Sequence, residues 1–222
     1  MTPGDGGKES TPSDDSMTNS QPPSDFNLTR TINSSSQNSF SGNVELDMTI
    51  INGSEQADFI SRNDTQSLLT RLSGPDAGTQ AYYVSDNGAA YRNATSGETR
   101  YGPSDGALAA EASFTGLFAF VGFSYIGIMD WEFARTTTVN GEEAFVYEAD
   151  SVNRTRLEED DIQSESEIQS ASGEMTVTRN GVQSATVRIN SPQGEVGVDL
   201  TITRGGITVE KPDWVDDSQF GS

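Results

Sequence analysis

The chain contains no cysteine and no histidine. The first absence excludes disulfides, thiol nucleophiles and cysteine-ligated metals. The second removes the side chain most often used as a general base and transition-metal ligand. Positive charge is also scarce: 13 Lys and Arg stand against 34 Asp and Glu, a formal net charge of -21, and the only lysines are Lys8 and Lys211. A surface this acidic repels nucleic-acid phosphates and anionic headgroups, which sets both aside as partners. Lysine depletion together with abundant Asp, Glu, Ser and Thr fits adaptation to high salt. The Debye length falls to about 3 Å near 1 M salt, and self-repulsion falls with it.

What is present divides the chain into three. Residues 1–25 are Pro, Gly, Ser, Thr and Asp with almost nothing apolar. Such a segment cannot bury enough surface to fold and reads as a flexible tether, with a root-mean-square reach of about 27 Å. One domain is expected over 26–217, followed by a short tail at 218–222. Within the domain, alternation of period two dominates. In "VELDMTI", Val44, Leu46, Met48 and Ile50 share one face and Glu45, Asp47 and Thr49 the other. Four Asn-Gly pairs (Asn52-Gly53, Asn87-Gly88, Asn140-Gly141, Asn180-Gly181) predict hairpins, since both residues tolerate the positive φ of a type I′ turn. Further strands are expected in "GEVGVDLTITRGGITVE". The carboxylate-rich stretch at 153–170 reads as a solvated loop or a short frayed helix.

One stretch stands apart. Ala112 to Met129 is a run of 18 residues without a charge, bounded by Glu111 and Asp130. Pro103 followed by Ser104 or Asp105 as N-cap predicts a helix over about 105–123. The run touches the lower length of a membrane span, but Gly116, Gly122 and Gly127 interrupt it and hairpin-rich sequence flanks it on both sides. Phe114, Leu117, Phe118, Val121 and Tyr125 form a helical stripe, with Phe120 and Phe123 pointing elsewhere. A helix apolar on nearly every side needs cover beyond its sheet. Core packing, a greasy cavity and a partner protein each supply that cover.

The long meander, the apolar helix between its halves and the low-complexity N-terminus together resemble the LolA/LppX/LprG-like lipoprotein fold. More narrowly, "YYVSDNGAAYRNATSGETRYG" and "GGITVEKPDWVDD" resemble haloarchaeal cell-surface lipoproteins of unassigned function. The resemblance covers about residues 26–217 and rests on turn and strand patterns. It implies an α+β fold in which a strongly curved antiparallel sheet, an unclosed half-barrel, holds an apolar helix in its concave face. It also implies an extracellular, cell-surface protein anchored to the cytoplasmic membrane through an N-terminal lipid. The cysteine that would carry that lipid, expected just before Thr2, is absent, and Met1 stands there.

No constellation of catalytic residues emerges. Gly122-Phe-Ser124-Tyr-Ile-Gly127 has the spacing GxSxxG, and no histidine is available to activate the serine. With 34 acids, some carboxylate pair meets any required separation, so pairs carry no information. "EEDD" at 158–161 and "DD" at 216–217 lack EF-hand spacing. No cofactor, metal site or catalytic residue is expected. Asn27, Asn33, Asn52, Asn63, Asn93 and Asn153 are glycosylation sequons, in keeping with export. The sequence thus points to a non-enzymatic module holding a hydrophobic, lipid-like molecule. Phe114, Leu117, Phe118, Val121 and Tyr125 would face Val44, Leu46, Met48 and Ile50 across the ligand. The alternative is a structural or protein-interaction component of the cell envelope with a filled core.

Overall fold

The computed structural model describes residues 21–38, 42–75, 78–115, 117–153, 155 and 168–220; for 114, 115 and 117–119 it describes the backbone alone. Most of the expected tether, most of the 153–170 stretch including "EEDD", and Gly221-Ser222 lie outside the described residues.

Eleven strands form one antiparallel sheet: β1 (Val44–Asn52), β2 (Glu55–Asn63), β3 (Ser67–Gly74), β4 (Gly78–Ser85), β5 (Gly88–Asn93), β6 (Thr99–Gly102), β7 (Glu132–Val139), β8 (Glu142–Ala149), β9 (Ser170–Thr178), β10 (Gly181–Ser191) and β11 (Gly194–Arg204). Their spatial order is β6-β5-β4-β3-β2-β1-β11-β10-β9-β8-β7, so the only long-range closure is β1 against β11. The sheet is not closed into a barrel; among the described strands β6 and β7 are its edges. Three helices accompany it, α1 (Leu28–Asn38), α2 (Ala107–Thr115) and α3 (Leu117–Gly127). The fold is the expected α+β class, and the described residues add α1 to the expected helical stretch.

Register explains the core. Val44, Leu46 and Met48 lie opposite Arg204, Ile202 and Leu200 on β11, and Met48 lies opposite Phe59 on β2. Leu200 continues to Ala185, and Ala185 to Met175. Because side chains alternate across a strand, these positions share one face. That inner face carries the main buried cluster, with Ile50, Phe26, Leu28, Tyr125 and Trp131 packed at its margin. Each fully buried Val, Leu, Ile, Met or Phe contributes about 1.5–3 kcal/mol, so this face is the main source of stability.

All four Asn-Gly pairs lie at hairpin turns, but only Asn140-Gly141 fills both loop positions, with φ of 52° and 82°. In the other three the pair is shifted by one residue, leaving Gly53-Ser54, Asp86-Asn87 and Arg179-Asn180 as the two-residue loops. Loop length and cross-strand pairing, rather than the dipeptide, set the register there.

Helix α1 was not signalled by periodicity. Asn27 caps it, its Oδ1 accepting from Arg30 N–H at 2.9 Å. Only Ile32 and Ser35 are buried, a single turn of apolar spacing. Ser35 Oγ accepts the Val182 N–H at 2.9 Å, where the β9–β10 ladder slips between Val182 and Ser184. The helix therefore satisfies a donor that the bulge leaves unpaired.

After β11, Gly205 and Gly206 (φ 77° and 70°) turn the chain onto the opposite, outer face. Residues 207–210, expected as strand, instead form a strap. Asn43 holds Ile207 through a reciprocal pair of hydrogen bonds (2.6 and 2.8 Å). Asp64 Oδ2 accepts the Val209 N–H at 2.8 Å. Val209 and Val215 then pack with Leu69, Tyr83 and Ala90 on the outer face.

Candidate functional site

The uncharged stretch is helical over Ala107–Thr115 and Leu117–Gly127, reaching Gly127 rather than ending at Phe123. The first packs on β3 to β6, where Leu108 and Ala112 bury against Tyr82, Ala89 and Tyr91. Arg100 lies 4.2 Å over the Tyr91 ring and pairs with Glu111 at 3.4 Å, fixing α2 to the short edge strand. The second packs on β11, β1 and β10 and touches α1.

Burial departs from the expected stripe at two of the described side chains. Phe123, expected to point away, is 4% exposed, and Ile126 is fully buried, whereas Val121, expected to face the sheet, is 45% exposed. Phe120 is 63% exposed. Tyr125 is partly buried against the core, and burial holds its phenol above its ordinary pKa. The side chains of Phe114, Leu117 and Phe118 lie outside what is described. Opposite, Val44, Leu46 and Met48 are buried and Ile50 is half-buried.

Gly122 sets how close the two layers come. A Cβ there would collide with Met48 Sδ and stand 3.2 Å from Val198 Cγ2. Sequence reasoning treated this glycine as an interruption. A glycine inside an apolar helix also signals close backbone approach, and that signal would have identified the contact face. Trp131 Nε1 donates to Ile126 O at 2.8 Å and fastens the C-terminal turn of α3. The Trp131 ring lies so close to Gly173 on β9 that no side chain fits there.

Hydroxyls in these helices are committed to backbone. Ser124 Oγ donates to Phe120 O and Ser113 Oγ to Ala109 O, both at 3.0 Å. The inner face does carry two buried hydroxyl residues that the sequence did not single out, Ser61 and Thr70, adjacent across β2 and β3. Among the described residues, no group of three or more His, Cys, Asp or Glu is placed to hold a metal ion, and no helix is long and apolar enough to cross a membrane. Of the sequon residues, Asn27, Asn33 and Asn52 are exposed, while Asn63, Asn93 and Asn153 are partly covered.

Two grooves lie among the described residues of the outer face. One, of about 460 Å³ at the β7 edge, is lined by Asp130, Glu132, Phe133, Glu148, Asp150 and Glu174 among others. Glu132, Glu148 and Glu174 lie directly opposite one another across β7, β8 and β9, with Arg135 bridging Glu148 (3.0 Å) and Glu174 (3.1 Å). The second, of about 520 Å³, lies under the C-terminal strap and is lined by Arg62, Arg71, Arg92 and Lys211 with Glu210 and Asp213, among others.

A family model described as "Family of unknown function (DUF7537)" matches residues 4–218. The chain belongs to this family. No curated protein matches it. Among solved structures, this family member is similar to the Mycobacterium tuberculosis lipoprotein LppX, with 10% identity, 82% of this chain and 98% of that chain covered, and a TM-score of 0.39. It is also similar to the Pseudomonas aeruginosa MucA/MucB complex, with 12% identity, 82% and 59% covered, and a TM-score of 0.36. A putative outer membrane lipoprotein-sorting protein domain from Vibrio parahaemolyticus gives 10% identity, 86% and 94% covered, and a TM-score of 0.21.

Proposed function

We propose that this protein is a non-enzymatic module that holds a hydrophobic, lipid-like molecule on the inner face of its sheet, with α2 and α3 as the cover. One observation carries the reading. The cover is apolar on both sides: Phe123 and Ile126 point into the core while Phe120 and Val121 stand bare in solvent. A helix that only sealed a core would place polar residues outward. A cover that closes over an oily guest uses both faces, one when shut and the other as it opens. The exposed sequons and the low-complexity N-terminus support an exported, tethered protein at the cell surface.

Organic extraction of the natively produced protein, followed by lipid mass spectrometry, tests the reading, with displacement of a fluorescent fatty acid as the second arm. A stoichiometric lipid, or saturable probe binding, supports it. Neither lipid nor probe binding overturns it. A second reading is favoured by the close contact at Gly122, which leaves no space between α3 and Met48. There the core is filled, and Phe120 and Val121 meet a protein of the envelope. Under that reading Phe120→Ser abolishes association while the extract contains no lipid.

A further inference from the structure

The groove beneath the C-terminal strap reverses the charge of the molecule around it. Four of the chain's 13 basic residues, Arg62, Arg71, Arg92 and Lys211, line it, against two carboxylates, Glu210 and Asp213. Two of these four are ion-paired, Arg62 with Glu45 at 3.1 Å and Lys211 with Asp217 at 2.6 Å, and elsewhere Arg100, Arg135, Arg179 and Arg188 each hold a carboxylate within 4.0 Å. Arg71 and Arg92 hold none among the described residues, and the Nε of Arg62 is buried without an acceptor. Arg30 and Arg204 are the other described arginines without an ion pair, and Arg204 donates to Val182 O at 2.8 Å, so Arg71 and Arg92 are two of four and share one groove.

Register shows how they are placed. Arg71 lies opposite Ala81, and Ala81 opposite Arg92, so the two guanidinium groups flank a small side chain across three strands. Two strand spacings are about 9.6 Å, room for one oxyanion between the two forks. Arg62 and Leu69 form the next rung on the same face, and Trp214 comes from the strap. A volume of about 520 Å³ is that of a small-ligand pocket. The chain's net charge does not forbid an anion here, because at 0.1 M salt carboxylates beyond about 10 Å are screened. Contact with a guanidinium fork is not screened in this way, and it matches phosphate bidentately.

We propose that this outer-face groove binds a single phosphate group, through Arg71 and Arg92, with Leu69 and Trp214 against whatever carries it. The site is independent of the hydrophobic inner face. The full chain is titrated in about 0.1 M salt, where distant carboxylates are screened, with inorganic phosphate and, separately, with glycerol 3-phosphate, following backbone and indole N–H resonances by NMR. Saturable shifts confined to Arg71, Arg92, Leu69, Trp214 and their neighbours are expected. Arg71→Ala and Arg92→Ala should each weaken binding at least tenfold, the loss of one charge-assisted contact, without lowering the melting temperature. Arg179→Ala, outside the groove, should change nothing. Equal affinity for both probes identifies a free-phosphate site, and preference for glycerol 3-phosphate a phosphoester headgroup site. Should a variant fold poorly, Arg71→Gln and Arg92→Gln serve in its place. Shifts scattered over the surface, no saturation by 50 mM on the order of weak anion contacts, or variants that bind as tightly as the parent overturn the proposal.

Discussion

The two faces of this sheet solve opposite problems with the same strands. On the inner face, each step from strand to strand places one apolar side chain beside another, as in Phe59, Met48, Leu200, Ala185 and Met175. Its one partly buried charge among the described residues, Arg204 opposite Val44, donates to Val182 O at 2.8 Å, and helices cover the face. On the outer face the same ladder logic sets like charges side by side. Glu132, Glu148 and Glu174 form a row at one end, and Arg71 and Arg92 flank Ala81 toward the other. The inner face is governed by burial and is insensitive to salt. The outer face is governed by charge placement and responds to it.

The comparison can be broken most forcefully from inside. Gly122→Leu drives a side chain into Met48 and Val198, and overpacking of this kind costs about 3 kcal/mol. Chemical denaturation should show that loss at 0.1 M and 2 M salt alike. On the outer face, Arg135→Ala leaves the glutamate row without its bridge. Exposed pairs are worth roughly 0–1 kcal/mol each, so a loss of about 1 kcal/mol is expected at 0.1 M salt and almost none at 2 M. The parent protein should itself melt higher at 2 M than at 0.1 M salt. A salt-independent melting temperature would remove the high-salt reading.

Acid sharpens the contrast further. N–H groups of Val209, Gln66 and Ser67 donate to Asp64, and hold its pKa below the ordinary 3.8. A carboxyl depressed in the folded state stabilises above its unfolded pKa and stops doing so as pH falls through the folded one. Asp64→Ala should therefore be less stable than the parent by about 1 kcal/mol at pH 6, and the gap should close as pH falls below 3.8. The smallest change in stability, within about 0.5 kcal/mol, is expected for the bare Phe120→Ser. Its effect should appear instead in ligand exchange or partner association.

How far the residues spoke for themselves varied by element. In β1, Val44 to Ile50 alternate so regularly that face and strand were legible, and the helical state of the uncharged run was legible too. Helix α1 was not, because "LTRTINSSSQN" has one buried turn and its stability comes from Val182 and the strands beneath it. Nor was the rotation of α3, because a run apolar on every side contains no information about which side meets the sheet. Gly122 was its one clue.

Composition and alternation alone determined an acidic, cysteine-free protein with a one-sided antiparallel sheet and a greasy helical cover, since those properties are local. Tertiary structure alone decided which charges became neighbours. Arg71 and Arg92 are 21 residues apart in the chain and come to flank one alanine only through the register of β3, β4 and β5. Cross-strand pairing is set by where each turn begins, and a slip of one residue would carry both side chains to the other face.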